Sequence, residues 1–145
     1  SFQNHHQKFQ VAGIVGTMMT FHTDTPITCG IVETDSSETL IKYYEKVSPP
    51  QGNIANAAVF ILENSIFDLD ENIMSSGNDF CRDIVPNLIG KISTWHNDKI
   101  HLDIGSLEKI SEAQDQIYER LDVQLTPWHI QFNNHPIHRK IEQLK

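Results

Sequence analysis

The segment Trp95-His96-Asn97-Asp98-Lys99-Ile100-His101-Leu102-Asp103-Ile104-Gly105-Ser106 constrains the fold more than any other. An apolar, strand-like run ends on the carboxylate of Asp103. Gly105 then allows a sharp turn, and Ser106 can cap a helix that carries Glu108 in its first turn. A carboxylate at a strand end beside a helix N-terminus can hold a cation against a phosphate. Its oxygens suit magnesium, and the helix dipole favours the anion. The segment also reads as an ordinary strand–turn–helix corner, so its meaning depends on what precedes it.

Upstream, strand patterns mix with helical ones. Residues 1–10 read as the end of a helix with Phe2, His6 and Phe9 on one face, and with His5 and His6 as surface histidines. The first strand is expected over 15–21, followed by a turn at 23–26. Segments 29–34 and 39–47 flank the polar turn Asp35-Ser36-Ser37-Glu38, which predicts a hairpin with one deeply buried face. Residues 48–53 form a Pro- and Gly-containing loop, and 54–62 return to the sheet. A short helical turn is expected over 63–70 and a polar loop over 71–78.

Asp79 caps a helix predicted over 79–89, which Pro86 kinks or shortens and Gly90 ends. A strand over 91–95 is expected to pair with 99–102, and 106–121 read as an amphipathic helix. Beyond Asp122 the pattern weakens to an extended segment and a helical piece over 136–145. Strands interleaved with helices give an α/β class with some antiparallel pairing.

Composition excludes several functions. A net charge of −8 argues against a nucleic-acid backbone as partner. No apolar run reaches membrane-spanning length and no signal peptide opens the chain, so a cytoplasmic protein with no membrane partner is expected. Cys29 and Cys81 lack metal-ligand spacing and read as small core residues without a disulfide. Asp68-Leu69-Asp70 follows a polar turn rather than a buried strand and reads as a solvated acidic loop. His129, His135 and His138 lack a cysteine or carboxylate of matching spacing and read as tail histidines. No nucleophile elbow supports a hydrolase.

Four segments occur in order: Cys29-Gly30-Ile31-Val32-Glu33, Tyr44-Glu45-Lys46 followed by prolines, Asn56-Ala57-Ala58-Val59-Phe60, and Leu102-Asp103-Ile104-Gly105-Ser106. This series resembles the C-terminal half of the sugar-1-phosphate nucleotidyltransferases, whose segments run roughly Y-G-V-V-E, F-x-E-K-P, N-A-G-I-Y and D-I-G-T-P. It is closest to guanylyltransferases acting on mannose or heptose phosphates. The resemblance covers 17–114 and implies a Rossmann-like domain with a mixed sheet. By the same resemblance Gly30, Glu45 and Asn56 line a sugar pocket, Lys46 approaches the phosphate, and Asp103 binds a catalytic Mg2+. Lys46 and Asp103 are thus the implied catalytic residues. The implied substrates are a sugar 1-phosphate and a nucleoside triphosphate, GTP by the closest likeness.

The residue types suit those roles. A carboxylate accepts two sugar hydroxyls, an amide both donates and accepts, and a glycine lets another group come close. Glu45 and Lys46, as neighbours on a strand, can reach one ligand only where the strand ends or twists. The chain departs from the family at Ala58, in place of glycine, and at Val47-Ser48, in place of the proline after Glu-Lys. Ser106-Leu107 stands in place of Thr-Pro.

The chain also holds no glycine-rich phosphate loop of Gly-x-Gly-Thr-Arg type. Residues 1–121 are therefore expected to be the sugar-binding half of the domain and 122–145 a C-terminal extension. The nucleotide half would come from a preceding segment or a partner chain, and a homo-oligomer stays open. Such a half should present an apolar sheet edge, for which 15–21 is the candidate. The alternative function is a non-catalytic sugar-phosphate-binding or subunit-interface module.

Overall fold

The computed structural model describes residues 1–10, 13–68, 79–120, 127, 130, 131 and 134–137. The chain divides into two compact units, Ser1–His101 and Leu102–Lys145. The first unit holds α1 (Phe2–Lys8), β1 (Gly16–His22), β2 (Gly30–Thr34), β3 (Leu40–Glu45), β4 (Ile54–Leu62) and β5 (Ile92–His96). The strands make one mixed sheet in the order β3-β2-β4-β1-β5. β1 lies antiparallel to β4 and parallel to β5, which confirms the α/β class and its antiparallel component.

The hairpin β2–β3 gives this unit its shape. Asp35 fixes its turn by accepting the N–H groups of Ser37 at 2.8 Å and Thr39 at 3.0 Å. At its base, β2 meets β4 through the single pair Ile31–Ala55. At its tip, Thr39 bridges to Ser93 and the Glu38 carbonyl accepts the Thr94 N–H at 2.6 Å. β4 and β5 lie on opposite sides of β1, and the hairpin is joined to β4 at its base and to β5 at its tip. Met18, Val32, Leu40, Leu88 and Ile92 form the core there with Val15, Ile66, Ile84 and Val85. Each such side chain contributes about 1.5–3 kcal/mol on full burial.

α1 packs on the opposite face. Strand alternation sends Met18 to the core and its neighbour Thr17 towards the helix, where Thr17 Oγ1 lies 2.7 Å from Ser93 Oγ of β5. His6 Nδ1 lies 3.0 Å from Thr17 Oγ1, and Nε2 lies 2.8 Å from Glu63 Oε1. Gln10 donates to the same Glu63 oxygen, and these two bonds hold the Glu63 carboxyl below its ordinary range. The surface reading of the two histidines is thereby corrected. His6 is buried, and burial lowers the His5 pKa beyond what nearby Glu38 restores.

Three further expectations are revised. β1 is paired on both sides, so residues 15–21 form the sheet's interior rather than an open edge. The helix predicted over 79–89 is a π turn, Phe80–Ile84, followed by a 3-10 turn, Val85–Leu88. Asp79 caps the first as expected, but Pro86 has no N–H to continue an α-helical ladder. Residues 99–102 form no strand, because Asn97 turns the chain away: its side chain accepts the Lys99 N–H at 3.0 Å and donates to the Ile100 carbonyl at 3.3 Å.

In the second unit, α2 (Leu107–Arg120) bears out the predicted amphipathic helix. Ser106 Oγ accepts the Lys109 N–H at 3.2 Å, which is the expected cap. His135 belongs to a local turn, whereas His129 and His138 lie outside the described residues, as do Leu69 and Asp70 of the acidic loop. No helix among the described residues is long and apolar enough to cross a membrane.

Candidate functional site

At the base of the hairpin, Gly30 and Glu45 are direct partners in the β2–β3 register. Tyr43, two residues before Glu45 on the same strand face, donates its hydroxyl to Glu45 Oε2 at 2.6 Å. Asn56, on β4, donates to the Tyr43 oxygen at 3.4 Å and to Cys81 Sγ at 3.3 Å. Gly30, Glu45 and Asn56 are therefore brought together, and Tyr43 is the hub that joins them.

Gly30 is small because the phenol fills the space over it. A Cβ there would overlap the Tyr43 hydroxyl and stand 2.7 Å from Glu45 Oε2. Burial, reinforced by the Glu45 hydrogen bond, pushes the Tyr43 pKa far up, so the group stays a neutral donor. Burial likewise raises the Cys81 thiol, which stays protonated and free. Cys81 thus faces this polar cluster, where a core position was expected.

The backbone lets the neighbouring side chains of Glu45 and Lys46 approach each other. β3 ends at Glu45, and Lys46 takes φ +51, in the left-handed region, so the strand's alternation breaks there. The Lys46 ammonium lies 3.7 Å from Glu45 Oε1, on an exposed side chain. Glu33, in the first family-like segment, has a different task. Lys42 and Tyr44 bond to it at 2.9 and 2.8 Å across the hairpin and hold its carboxyl below the ordinary range.

Ala58, the departure from glycine, has φ +55 opposite the register shift in β1. Its N–H donates to Asn56 Oδ1 at 2.9 Å, so the Asn56 amide is anchored by one end to this bulge. Only Gly takes such a φ freely, which gives the family's glycine a backbone reason.

Asp103 lies in the second unit, exposed, on an irregular segment rather than at a strand end. Its Oδ1 accepts the Gly105 N–H at 3.0 Å, which orients the carboxylate ahead of α2. A hard oxygen donor of this kind fits as one ligand of a magnesium ion. No group of three or more potential metal ligands occurs among the described residues. A separate cleft of about 250 Å³ lies under the hairpin tip, lined by Thr20, Thr34, Glu38, Ile54, Thr94 and His96. None of the sequence-predicted site residues lines it.

Tyr43 and Cys81 were missed from sequence. Tyr43 carries a usable signal, the i, i+2 spacing from Glu45 that puts both on one strand face. Cys81 carries none, because its approach to Asn56 is set by the tertiary packing of the π turn.

A carboxylate, an amide and an ammonium thus lie together at one hairpin base of the mixed sheet. The family model for nucleotidyl transferases matches residues 1–120, and the chain belongs to that family. Over 115 residues it is 25% identical to a glucose-1-phosphate adenylyltransferase from Clostridium botulinum, covering 72% of this chain and 30% of that protein. The Clostridium acetobutylicum protein of the same name is 26% identical over 91 residues, 58% of this chain and 24% of its own length. The bifunctional protein GlmU of Methanococcus aeolicus is 34% identical over 53 residues, 37% of this chain and 13% of its length. The chain therefore spans less than a third of each of these relatives.

Proposed function

We propose that this chain is the sugar-binding part of a sugar-1-phosphate nucleotidyltransferase, which makes a nucleotide sugar and pyrophosphate. The observation that carries the reading is the gathering of Gly30, Glu45, Lys46 and Asn56 at one hairpin base in a chain of this family. Glu45 and Asn56 hold the sugar hydroxyls, and Lys46 neutralises the phosphate on C1. A phosphate oxygen of that group attacks the α-phosphorus of the nucleoside triphosphate in line. One P–O bond forms as the bond to the β-phosphate oxygen breaks, and pyrophosphate leaves without a covalent enzyme intermediate. Asp103 would hold magnesium, which when bound neutralises charge on the phosphates.

The nucleotide loop would be supplied by a segment outside residues 1–145 or by a partner chain, and the reaction would belong to the cytoplasm. GTP and a manno-configured sugar are the finer assignment, supported by the likeness of the four segments. The adenylyltransferase names of the relatives make a nucleotide panel the necessary comparison.

The test is steady-state kinetics of the enzyme that carries this chain, with sugar phosphate, triphosphate and magnesium varied separately. Asp103→Asn should lower turnover on the order of a hundredfold, the equivalent of about 3 kcal/mol of lost charge stabilisation. Glu45→Gln should raise the KM for sugar phosphate more than that for triphosphate. Near-normal turnover and magnesium dependence in Asp103→Asn would reduce this aspartate to a turn residue. A wild-type enzyme without pyrophosphate release on any sugar 1-phosphate would leave the non-catalytic module as the reading.

A further inference from the structure

Glu45 has two carboxylate oxygens, and the hairpin commits them differently. Oε2 accepts the Tyr43 hydroxyl at 2.6 Å, while Oε1 faces the Lys46 ammonium at 3.7 Å. The Tyr43 oxygen in turn receives the Asn56 amide at 3.4 Å, and its ring is packed against the core. A phenol held from two sides cannot swing away, so it fixes the plane of the carboxylate beside it.

We propose that Tyr43 is a specificity-determining positioning residue, which occupies Oε2 of Glu45 and presents Oε1, beside Lys46, to one sugar hydroxyl. The inference rests on the sugar-1-phosphate reading above and deepens it. A carboxylate free at both oxygens could grip two neighbouring hydroxyls or rotate between them. One locked by a phenol has fewer acceptor sites and one orientation, so it discriminates more sharply among sugars.

The experiment is calorimetric titration of α-D-mannose 1-phosphate, its monodeoxy analogues and α-D-glucose 1-phosphate into wild type, Tyr43→Phe, Glu45→Gln and the double variant. Tyr43→Phe keeps the ring over Gly30 and removes only the oxygen, and a thermal melt of each variant checks the fold. Tyr43→Phe should weaken binding of the preferred sugar phosphate about tenfold, as for loss of one hydrogen bond that orients a charged group. The penalty wild type imposes on its most disfavoured deoxy analogue should shrink in the same variant. With Glu45→Gln already present, Tyr43→Phe should add less than about a twofold effect, because it acts through that carboxylate.

Unchanged affinity and discrimination in Tyr43→Phe would overturn this inference and leave the sugar-1-phosphate reading standing. Effects of the two single variants that simply multiply would do the same. Failure of wild type to bind any of these sugar phosphates would overturn both.

Discussion

Replacing Gly30 with alanine tests the packing on which the site is built. Gly30 sits opposite Glu45, and its backbone lies outside the left-handed region, so alanine meets no backbone strain. The obstacle is the added Cβ. It would overlap the Tyr43 hydroxyl and stand 2.7 Å from both Tyr43 Cζ and Glu45 Oε2. The phenol has little room to retreat, since its ring is packed against the core and its hydroxyl is bonded to Glu45. Overpacking by one methyl in such a site costs about 1–3 kcal/mol. Breaking the charge-assisted hydrogen bond adds about 1.5–3 kcal/mol, so Gly30→Ala should destabilise by roughly 2.5–6 kcal/mol.

Urea unfolding followed by tryptophan fluorescence and far-ultraviolet circular dichroism gives the value by linear extrapolation. The double variant Gly30→Ala/Tyr43→Phe separates the two contributions. It removes the hydroxyl overlap but leaves Cζ at 2.7 Å, so only part of the loss should return. A Gly30→Ala protein within about 0.5 kcal/mol of wild type would refute the packing argument, because that is the range of surface changes that touch nothing.

Two other changes probe the scaffold. His6→Ala removes a buried side chain and its bond to Thr17, which should cost about 2 kcal/mol in the same unfolding assay. A neutral result there would mean that α1 contributes nothing to the stability of the sheet. Ala58→Gly removes left-handed strain at φ +55 on an exposed residue and should raise stability by about 1 kcal/mol. A lower unfolding midpoint would show that the alanine methyl is held by contacts worth more than the strain.

The strands were legible because their signals are local. Alternation marks β2 and β3, and Asp35 with two serines marks their turn, so the hairpin could be placed to within a few residues. Its destination could not. That the tip reaches β5 depends on Glu38 and Thr94 meeting across 56 positions of sequence, which no pattern within either segment encodes. The strand expected over 99–102 failed for a related reason. Its residues carry strand propensity, but the side chain of Asn97 bonds to the backbone on both sides of the turn and competes with a ladder. Pro86 does more than shorten a helix: with its N–H missing from the second turn, the segment folds as a π turn and a 3-10 turn.

The candidate site divides along the same line. The resemblance of short segments to a known family singled out Gly30, Glu45, Lys46 and Asn56, and their residue types suit a sugar phosphate's need for an acceptor, an amide, a cation and space. How they are aimed depends on two places where the backbone leaves regular strand geometry. At Lys46, φ +51 turns the ammonium back towards the carboxylate before it, which strict alternation forbids. At Ala58, where φ is +55, the residue's own N–H donates to Asn56 Oδ1, so the amide's NH2 end is left to point at Tyr43 and Cys81. Non-glycine residues at positive φ are uncommon and costly, and of the three described here, Glu38, Lys46 and Ala58, the last two fall within the candidate-site segments. The sheet supplies a rigid frame, and these two departures from it convert residues on different strands into one polar cluster around Tyr43. A sequence reading that follows alternation through a strand will therefore find such a site's residues and misjudge their directions at the positions that aim them.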